Sequence, residues 1–405
     1  MSFSLDACVP APTCEDRTMP MKDTSRIVDV SKYLGDPSKA DWVAQGTPLT
    51  WNDNVILTMP KNSVGTVLAS TVYMWYGTVK ARMKTSKDAG VVTAFILLSD
   101  VKDEIDYEWV GNDLSVAQTN FYFQGIPDYH HSQNITNVSN TNTDWHDYEI
   151  RWTPDRIEWY VDGVKGAVQE KSKTWNATAN QWNFPQTPAR VQLSIWPGGA
   201  ASNAKGTVEW AGGYIDWDSD AIKQDGYYYA SVSDVSIECY KANSGPGTNK
   251  GKSYTYNSWL GTNNTVVDGN KPTVLKSLLG SGLDMDADYP SSSASQTTKE
   301  VVPGLSGGGP GTNGQAAGDA NGDSGSNGGS SGNGNGNGGG NGGAPSNGGS
   351  SDCNHGFTQN CGGDSSDDGS NKNGGSNKNE GARQEHVLGA SAFAALVAVA
   401  GMLWL

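Results

Sequence analysis

Apolar and polar residues alternate with a period of two along much of the first 240 residues. In YGTVKARMKT (76–85), Val79, Ala81 and Met83 share one face, and mostly polar residues occupy the other. This alternation predicts a β-strand that is buried on one side. The run GVVTAFILLS (90–99) is almost continuously apolar, which is typical of a central strand covered on both faces.

Further segments fit the same pattern. YEIRW and RIEWYVDG flank a Thr-Pro-Asp turn and predict a hairpin, and Asp162-Gly163 predicts the next turn. In ARVQLSIWPGG (189–199), Val191, Leu193 and Ile195 face inward. The opposite row consists of Arg190, Gln192, Ser194 and Trp196. No long stretch before residue 240 has a helical period with caps, so we expect an antiparallel β-sandwich.

Composition divides the chain into five segments. Residues 1–15 are a short N-terminal segment, and 16–240 form the predicted sandwich domain. Residues 241–307 hold apolar residues without a regular period, and either pack on the domain or form a partly ordered stalk. Residues 308–373 are rich in Gly, Asn and Ser; we expect a disordered linker, because such a segment buries too little apolar surface.

The last segment, 374–405, ends in the apolar run VLGASAFAALVAVAGMLWL. One interpretation is a transmembrane helix. We favour a glycosylphosphatidylinositol (GPI) attachment signal, because small residues and a polar spacer precede the run and no basic cluster follows it. If Asn373 is the attachment residue, Gly374 and Gly375 supply the small positions. A membrane contact through this anchor alone is then expected.

A GPI signal requires secretion, yet MSFSLDACVP lacks an apolar segment of the usual signal-peptide length. We therefore expect an incomplete N-terminus. Four N-glycosylation sequons agree with secretion; they begin at Asn134, Asn137, Asn176 and Asn263. In an oxidising compartment Cys8–Cys14 and Cys353–Cys361 can close as local disulfides. Cys239 is then left over, and its pairing with Cys8 or Cys14 stays open.

The net charge of −15 argues against binding to nucleic acid or to anionic membrane surfaces. No C-x-x-C pair is present, and the five histidines show no metal-ligand spacing. We therefore expect no metal and no cofactor.

The stretch SDVKDEIDYEWVGND (99–113) places Glu104, Asp106 and Glu108 on one face of a predicted strand. The Cα atoms of the outer two lie about 13 Å apart on such a strand, and their side chains can lean inward over Asp106. Carboxyl groups about 5–5.5 Å apart are what a retaining glycosidase requires. The alternative is a solvated strand face with incidental acids.

The next predicted strand, AQTNFYF (117–123), follows after a turn. If the two strands pair with even parity, Gln118, Asn120 and Tyr122 join the face of the carboxylates. The result is a polar and aromatic floor suited to sugar hydroxyls and ring faces. The row from Arg190 to Trp196 has the same chemistry.

DEIDYE resembles the active-site strand of glycoside hydrolase family 16, in the form without a bulge. With SRIVDVSKYLGDPSKADWV, YGTVKARMKTS, QTNFYFQG, FPQTPARVQLSIWPGG and GTVEWAGGYIDWDSD, the chain is similar to fungal Crh-type cell-wall transglycosylases over about residues 14–300. The resemblance implies a jelly-roll β-sandwich with an open substrate cleft. It also implies that residues 16–240 are a catalytic domain that transfers chitin chains to β-glucan by double displacement.

Carried over by motif, the resemblance implies that Glu104 is the nucleophile, Asp106 the assisting acid and Glu108 the general acid/base. The segments that line the cleft hold Gln118, Asn120, Tyr122, Arg190, Gln192 and Trp196. For Trp210 and for Trp217, a place in the cleft wall and a place in the core are equally favoured. The implied partners are a chitin donor and a β-glucan acceptor, the implied location is the cell surface, and a monomer is expected.

Two other function classes stay open. One is a hydrolase of β-1,3-glucan or chitin that uses the same residues, and the other is a non-catalytic wall-binding protein. The intact carboxylate set argues against the second, because a binding module has no need of it.

Overall fold

The computed structural model of the protein describes residues 4–289, apart from the side chain of Tyr129. The predicted linker, Asn373, the C-terminal segment and the pair Cys353 and Cys361 lie outside the described residues.

Strands dominate the described chain. The first eleven are β1 (Ala11–Pro12), β2 (Arg17–Pro20), β3 (Ile27–Asp29), β4 (Trp42–Gln45), β5 (Pro48–Trp51), β6 (Asn54–Pro60), β7 (Thr66–Met74), β8 (Gly77–Lys84), β9 (Val91–Ser99), β10 (Glu104–Val110) and β11 (Ala117–Tyr122). The others are β12 (Gln133–Ile135), β13 (His146–Trp152), β14 (Arg156–Val161), β15 (Val164–Glu170), β16 (Trp175–Asn176), β17 (Gln181–Trp182), β18 (Ala189–Pro197), β19 (Tyr227–Cys239), β20 (Ser253–Tyr256) and β21 (Val266–Gly269).

The described residues contain two α-helices of six residues each, α1 (Lys205–Trp210) and α2 (Asp220–Asp225). They also contain five short 3₁₀ turns: Leu5–Ala7, Val30–Lys32, Tyr129–His131, Lys171–Lys173 and Asn263–Thr265. Within residues 4–289, no helix has the length and apolar character needed to cross a bilayer.

Two large sheets pack face to face. One sheet, called the cleft sheet because it contains the strand with Glu104, Asp106 and Glu108, has the order β12-β11-β10-β9-β18-β7-β4-β3. The back sheet has the order β15-β14-β13-β8-β19-β6-β5, with β2 also paired to β19. Among these pairs only β3 and β4 run parallel in the described chain. The prediction of an all-β sandwich is confirmed.

The strands predicted from alternation are present with the predicted faces. Val79, Ala81 and Met83 of β8 are fully buried, while the intervening residues are half-buried. The run at 90–99 becomes β9, which is buried at all nine positions because both of its faces are covered. The predicted hairpin is β13–β14, and Asp162 and Gly163 follow with φ of 51° and 77°. These left-handed angles are those of a tight hairpin turn.

An aromatic column joins the two sheets behind β10. Tyr107 stacks on Trp109 at 5.4 Å between ring centroids, and Trp109 lies 4.4 Å from the ring of Tyr148 in the back sheet. The Tyr107 hydroxyl also donates to the backbone carbonyl of Tyr160 at 2.9 Å. One face of β10 is therefore fixed by the core, which forces alternate residues of β10 to the opposite face.

Residues after β19 pack on the sandwich as far as Leu278. β20 pairs with both β1 and β21 in a small third sheet. The Leu275 N–H donates to the carbonyl of Leu34 at 2.8 Å. Of the two arrangements left open for this segment, the described part shows packing rather than an extended stalk.

Among the described cysteines, Cys14 and Cys239 form a disulfide and Cys8 is free. Of the pairings that the sequence left open, Cys14–Cys239 is therefore the one present, and the local pair Cys8–Cys14 does not form. The pairing of β2 with β19 explains the outcome, because Arg17 lies opposite Ile237 and the antiparallel register carries Cys14 to the end of β19. Hydrogen bonds and register between distant strands thus decide the pairing.

We expect the double variant Cys14→Ser/Cys239→Ser to lose about 2–5 kcal/mol of unfolding free energy, because the bond closes a very long loop. Denaturant unfolding of the secreted protein measures the loss, with Cys8→Ser as the control that leaves it unchanged. A Cys8–Cys14 peptide in a non-reducing digest would contradict the assignment.

Candidate active site

The three acidic residues of β10 lie together on the face that points away from the sandwich core. Ile105, Tyr107 and Trp109 are buried in the core, so alternation places Glu104, Asp106 and Glu108 on the cleft face. β10 pairs with β9 without a register shift over all seven positions. The regular strand therefore aligns the carboxyl groups in one row.

The neighbouring strand pairs with the even parity that the sequence predicts. Glu104 lies opposite Tyr122, Asp106 opposite Asn120, and Glu108 opposite Gln118. Directly opposed residues share a face, so these six side chains form one patch on the cleft sheet. The predicted juxtaposition is confirmed, while the part of each residue in substrate binding stays a prediction.

The other side of β10 is an apolar stripe followed by a second polar row. Leu98, Ile96 and Ala94 of β9 lie opposite the three acids. Beyond them β18 places Arg190 beside Leu98, Gln192 beside Ile96 and Ser194 beside Ala94. We call the acids, this stripe and the two polar rows the cleft floor.

Burial dominates the electrostatics of the acids. Asp106 and Glu108 are 2% and 7% exposed, and Glu104 is half-buried. Loss of hydration raises the pKa of all three carboxyl groups above the usual range for Asp and Glu. The pKa of Asp106 is raised further by the negative charges of Glu104 and Glu108 on either side of it.

The two glutamates differ in the neighbouring groups that oppose the rise in pKa caused by burial. A hydrogen bond from Asp106 and the charge of Lys102 favour ionised Glu104 and partly offset the rise in its pKa. Glu108 has a pKa raised by burial and then by the charge of Glu104. The groups around Glu104 therefore favour its ionised form, whereas those around Glu108 favour its protonated form.

Several polar atoms of the floor are buried and make no hydrogen bond within residues 4–289. They include Oδ1 of Asp106, Oε1 of Glu108, Oε1 of Gln192 and Oγ of Ser194. A buried polar atom without a hydrogen bond costs about 1–3 kcal/mol of free energy. Such a set is typical of a site where hydroxyl-rich ligands complete the hydrogen bonding.

Asp103 fixes the start of β10, and the sequence analysis did not single it out. Its buried carboxylate accepts the backbone N–H groups of Gln124, Gln186 and Thr187 at 2.9–3.1 Å. The Thr187 hydroxyl donates to it at 2.7 Å. This carboxylate therefore joins the start of β10 and the end of β11 to the segment that enters β18. In the sequence, the one indication of such a role is that Asp103 is the first residue of DEIDYE.

A second unpredicted contact holds the middle of the strand. The indole N–H of Trp159, in the back sheet, donates to the backbone carbonyl of Asp106 at 3.0 Å. This hydrogen bond crosses the core between the two sheets. It fixes the position of β10 relative to the back sheet at Asp106, the central acid.

Trp210 belongs to the cleft side of the molecule. Its indole N–H donates to Oε1 of Gln118 at 2.9 Å, and its ring stacks on Trp196 at 5.9 Å. The stack leaves Trp196 on its predicted face but only 4% exposed. Trp196 is therefore not an open stacking platform, because Trp210 covers it. Trp217 instead packs against the main core near Tyr228.

Arg190 is buried at the Glu104 end of the floor. Its guanidinium lies 5.4 Å from the ring centroid of Tyr73, whose hydroxyl donates to Asp100 at 2.9 Å. The positive charge counteracts the burial that raises the pKa of Asp100. The structure thus engages Arg190 with Tyr73 and Asp100, and its predicted contact with substrate stays a prediction.

Within residues 4–289, no three histidine, cysteine or acidic side chains are grouped so that they could hold a metal ion. The floor offers one carboxyl whose neighbours favour its ionised form, one whose neighbours favour its protonated form and a third acid between them whose pKa is strongly raised. That combination can perform nucleophilic attack and proton transfer on one bond.

Comparison with known proteins gives a consistent assignment. The family model described as Glycosyl hydrolases family 16 matches residues 36–212. Crh-like protein 3 of Botryotinia fuckeliana is 61% identical over 287 residues, which are 71% of this chain and 64% of that protein. Crh-like protein 2 of Aspergillus fumigatus is 50% identical over 318 residues, covering 76% of this chain and 71% of that protein.

A solved structure described as Crh5 transglycosylase in complex with NAG has a TM-score of 0.53 with this chain. Its sequence is 27% identical, and the match covers 64% of this chain and 95% of that one.

The raised pKa values imply a specific dependence of stability on pH. The unfolded chain releases these carboxyl protons at the usual values, whereas the folded protein retains them to higher pH. The free energy of unfolding therefore falls as pH rises from the pKa of these groups in the unfolded chain to their raised pKa in the folded protein. We expect the triple variant Glu104→Gln/Asp106→Asn/Glu108→Gln to lose less stability than the wild type over this range.

The difference should be about 1.4 kcal/mol for each unit of pKa shift that the substitutions remove. Urea unfolding at a series of pH values measures it, with Glu238→Gln on the exposed face of β19 as the control. If the free energy of unfolding depends on pH in the same way in the triple variant and the wild type, burial does not raise these pKa values.

Proposed function

Because the chain belongs to the Crh-like proteins of glycosyl hydrolase family 16, we propose that it is a cell-wall glycosidase and transglycosylase. The proposed donor is chitin, and the proposed acceptor is β-glucan. The observation that carries the proposal is the row of three carboxyl groups on the cleft face of β10, of which Asp106 and Glu108 are buried and Glu104 is half-buried. A relative of known structure was solved with NAG, the repeating sugar of chitin, which supports the choice of donor.

In the first half-reaction ionised Glu104 attacks the anomeric carbon of the donor, and the bond from that carbon to the glycosidic oxygen breaks. Glu108 gives its proton to the departing oxygen. Asp106 is protonated and donates to Glu104, which spreads the negative charge of the nucleophile before attack. The products are a covalent glycosyl-enzyme and a shortened chain.

In the second half-reaction Glu108, now ionised, takes the proton of an acceptor hydroxyl. The acceptor oxygen bonds to the anomeric carbon, and the ester bond to Glu104 breaks. An acceptor sugar gives transfer, whereas water gives hydrolysis. Transfer exceeds hydrolysis only if a bound sugar has a higher effective concentration and better orientation than water.

The partner side chains of the floor suit an oriented acceptor. Gln118 lies directly opposite Glu108, and Trp210 holds the amide oxygen of Gln118. The fixed amide can present its N–H₂ group toward the acceptor end of the bond. A sugar hydroxyl depends on such orientation more than a water molecule does.

We further propose that the protein is a secreted glycoprotein at the cell surface, attached through a GPI anchor at Asn373. The sequons, the small residues at 373–375 and the apolar run at 387–405 support this proposal. Residues 308–373 would then be a tether between the anchor and the sandwich, and a monomer is the expected form.

We expect Glu104→Gln and Glu108→Gln each to abolish turnover of a natural donor, because each removes a group needed in both half-reactions. Asp106→Asn should be less severe and should shift the pH optimum. The measurement is release of labelled fragments from chitin oligosaccharides, with Glu238→Gln as the control. Near wild-type turnover in either glutamine variant would refute the assigned roles.

With a chitin oligosaccharide and a labelled β-glucan acceptor, we expect transfer products to outnumber hydrolysis products. Trp210→Phe retains a ring against Trp196 but removes the N–H that holds Gln118. It should lower the ratio of transfer to hydrolysis several-fold and affect donor consumption less. Chromatography over a time course gives both rates.

If free reducing ends dominate at saturating acceptor, the protein is a hydrolase rather than a transglycosylase. If binding occurs without any cleavage, both enzymatic alternatives fail.

A further inference from the structure

The edge strand of the cleft sheet places a sequon beside the catalytic row. Asn134 of β12 lies opposite Gln118 of β11, and Gln118 lies opposite Glu108 of β10. Opposed residues of antiparallel strands share a face, so the side chain of Asn134 emerges on the cleft face. Asn134 is also exposed, whereas its neighbours Gln133 and Ile135 are half-buried.

The separation from the acid/base is short. Two strand spacings of about 4.8 Å put the Cα atoms of Asn134 and Glu108 about 10 Å apart. The polar side chains of the floor extend to both sides of β10, over β11 on one side and over β18 on the other. A sugar chain that uses both sides leaves the floor over β12 at one end.

Asn134-Ile135-Thr136 is an acceptor sequence for N-glycosylation. We propose that Asn134 carries an N-glycan that covers the β12 end of the cleft floor and limits the length of polysaccharide that binds there. This inference rests on the proposed function, since it assumes secretion and a polysaccharide that crosses the floor.

Two other sequons differ from Asn134 in their surroundings. Asn263 is half-buried, and its backbone N–H donates to Oε1 of Gln186 at 3.3 Å, beside the segment that enters β18. Asn176 lies in the separate β16–β17 hairpin, outside the cleft sheet. Asn176 therefore supplies a matched control for a glycan away from the floor.

The experiment uses the full chain secreted from a glycosylating host. Glycopeptide mass spectrometry measures occupancy at each sequon, and initial rates are measured with short and long chitin oligosaccharides. The variants are Asn134→Gln, Thr136→Ala, which keeps Asn134 but removes the sequon, and the control Asn176→Gln. Wild-type protein trimmed with an endoglycosidase is a fourth sample.

We expect high occupancy at Asn134. Asn134→Gln, Thr136→Ala and trimming should each lower KM for long oligosaccharides several-fold, and leave rates on the shortest cleaved substrate and kcat unchanged. Asn176→Gln should alter neither.

An unoccupied Asn134 would overturn the proposal, and so would equal KM values for Thr136→Ala and Asn176→Gln. A change in Asn134→Gln alone would also overturn it, because it would assign the effect to the side chain rather than to the glycan. Failure of the proposed function would be distinct, since the Asn176→Gln and wild-type samples would then show no cleavage.

Discussion

The placement of three carboxyl groups on one face of β10, two of them buried and one half-buried, is the constraint on which the site depends. A strand exposes its residues alternately, and Ile105, Tyr107 and Trp109 commit the other face to the core. The acids cannot turn away from one another or toward bulk water without removing those aromatic rings from the core. The packing of Ile105, Tyr107 and Trp109 in the core therefore offsets the free-energy cost of the repulsion between the acids and of their lost hydration.

That arrangement explains how one short motif can hold groups in different protonation states. Burial raises the pKa of every acid in the row, but the hydrogen bond from Asp106 and the charge of Lys102 favour the ionised form of Glu104. Glu108 lacks both influences and has the charge of Glu104 nearby. The difference between the proposed nucleophile and the proposed acid would thus arise from their neighbours, since the two side chains are chemically identical.

The strand is held at both its end and its middle by groups that lie outside the patch of acids. Asp103 ties its start to residues 124, 186 and 187, and Trp159 reaches through the core to the carbonyl of Asp106. On the cleft side Trp210 fixes Gln118 across from Glu108. Preorganised contacts of this kind keep reacting groups in place without a cost at the moment of reaction.

The sequence by itself determined the strands with a clear period of two, the acids on one face of β10, and the class of fold. These features follow from local alternation, which a strand converts directly into faces. From the sequence, residues of β11 share a face with the acids only if β10 and β11 pair with even parity. The observed register has that parity.

Only the tertiary structure decided which distant segments meet. It paired Cys14 with Cys239 through the register of β2 and β19, stacked Trp210 on Trp196, engaged Arg190 with Tyr73, and brought Asp103 to Gln186 and Thr187. It also set Asn134 in line with Glu108 across two strands. A period along the chain specifies which face a residue occupies; the partner on that face depends on strand order and register, which long-range packing fixes.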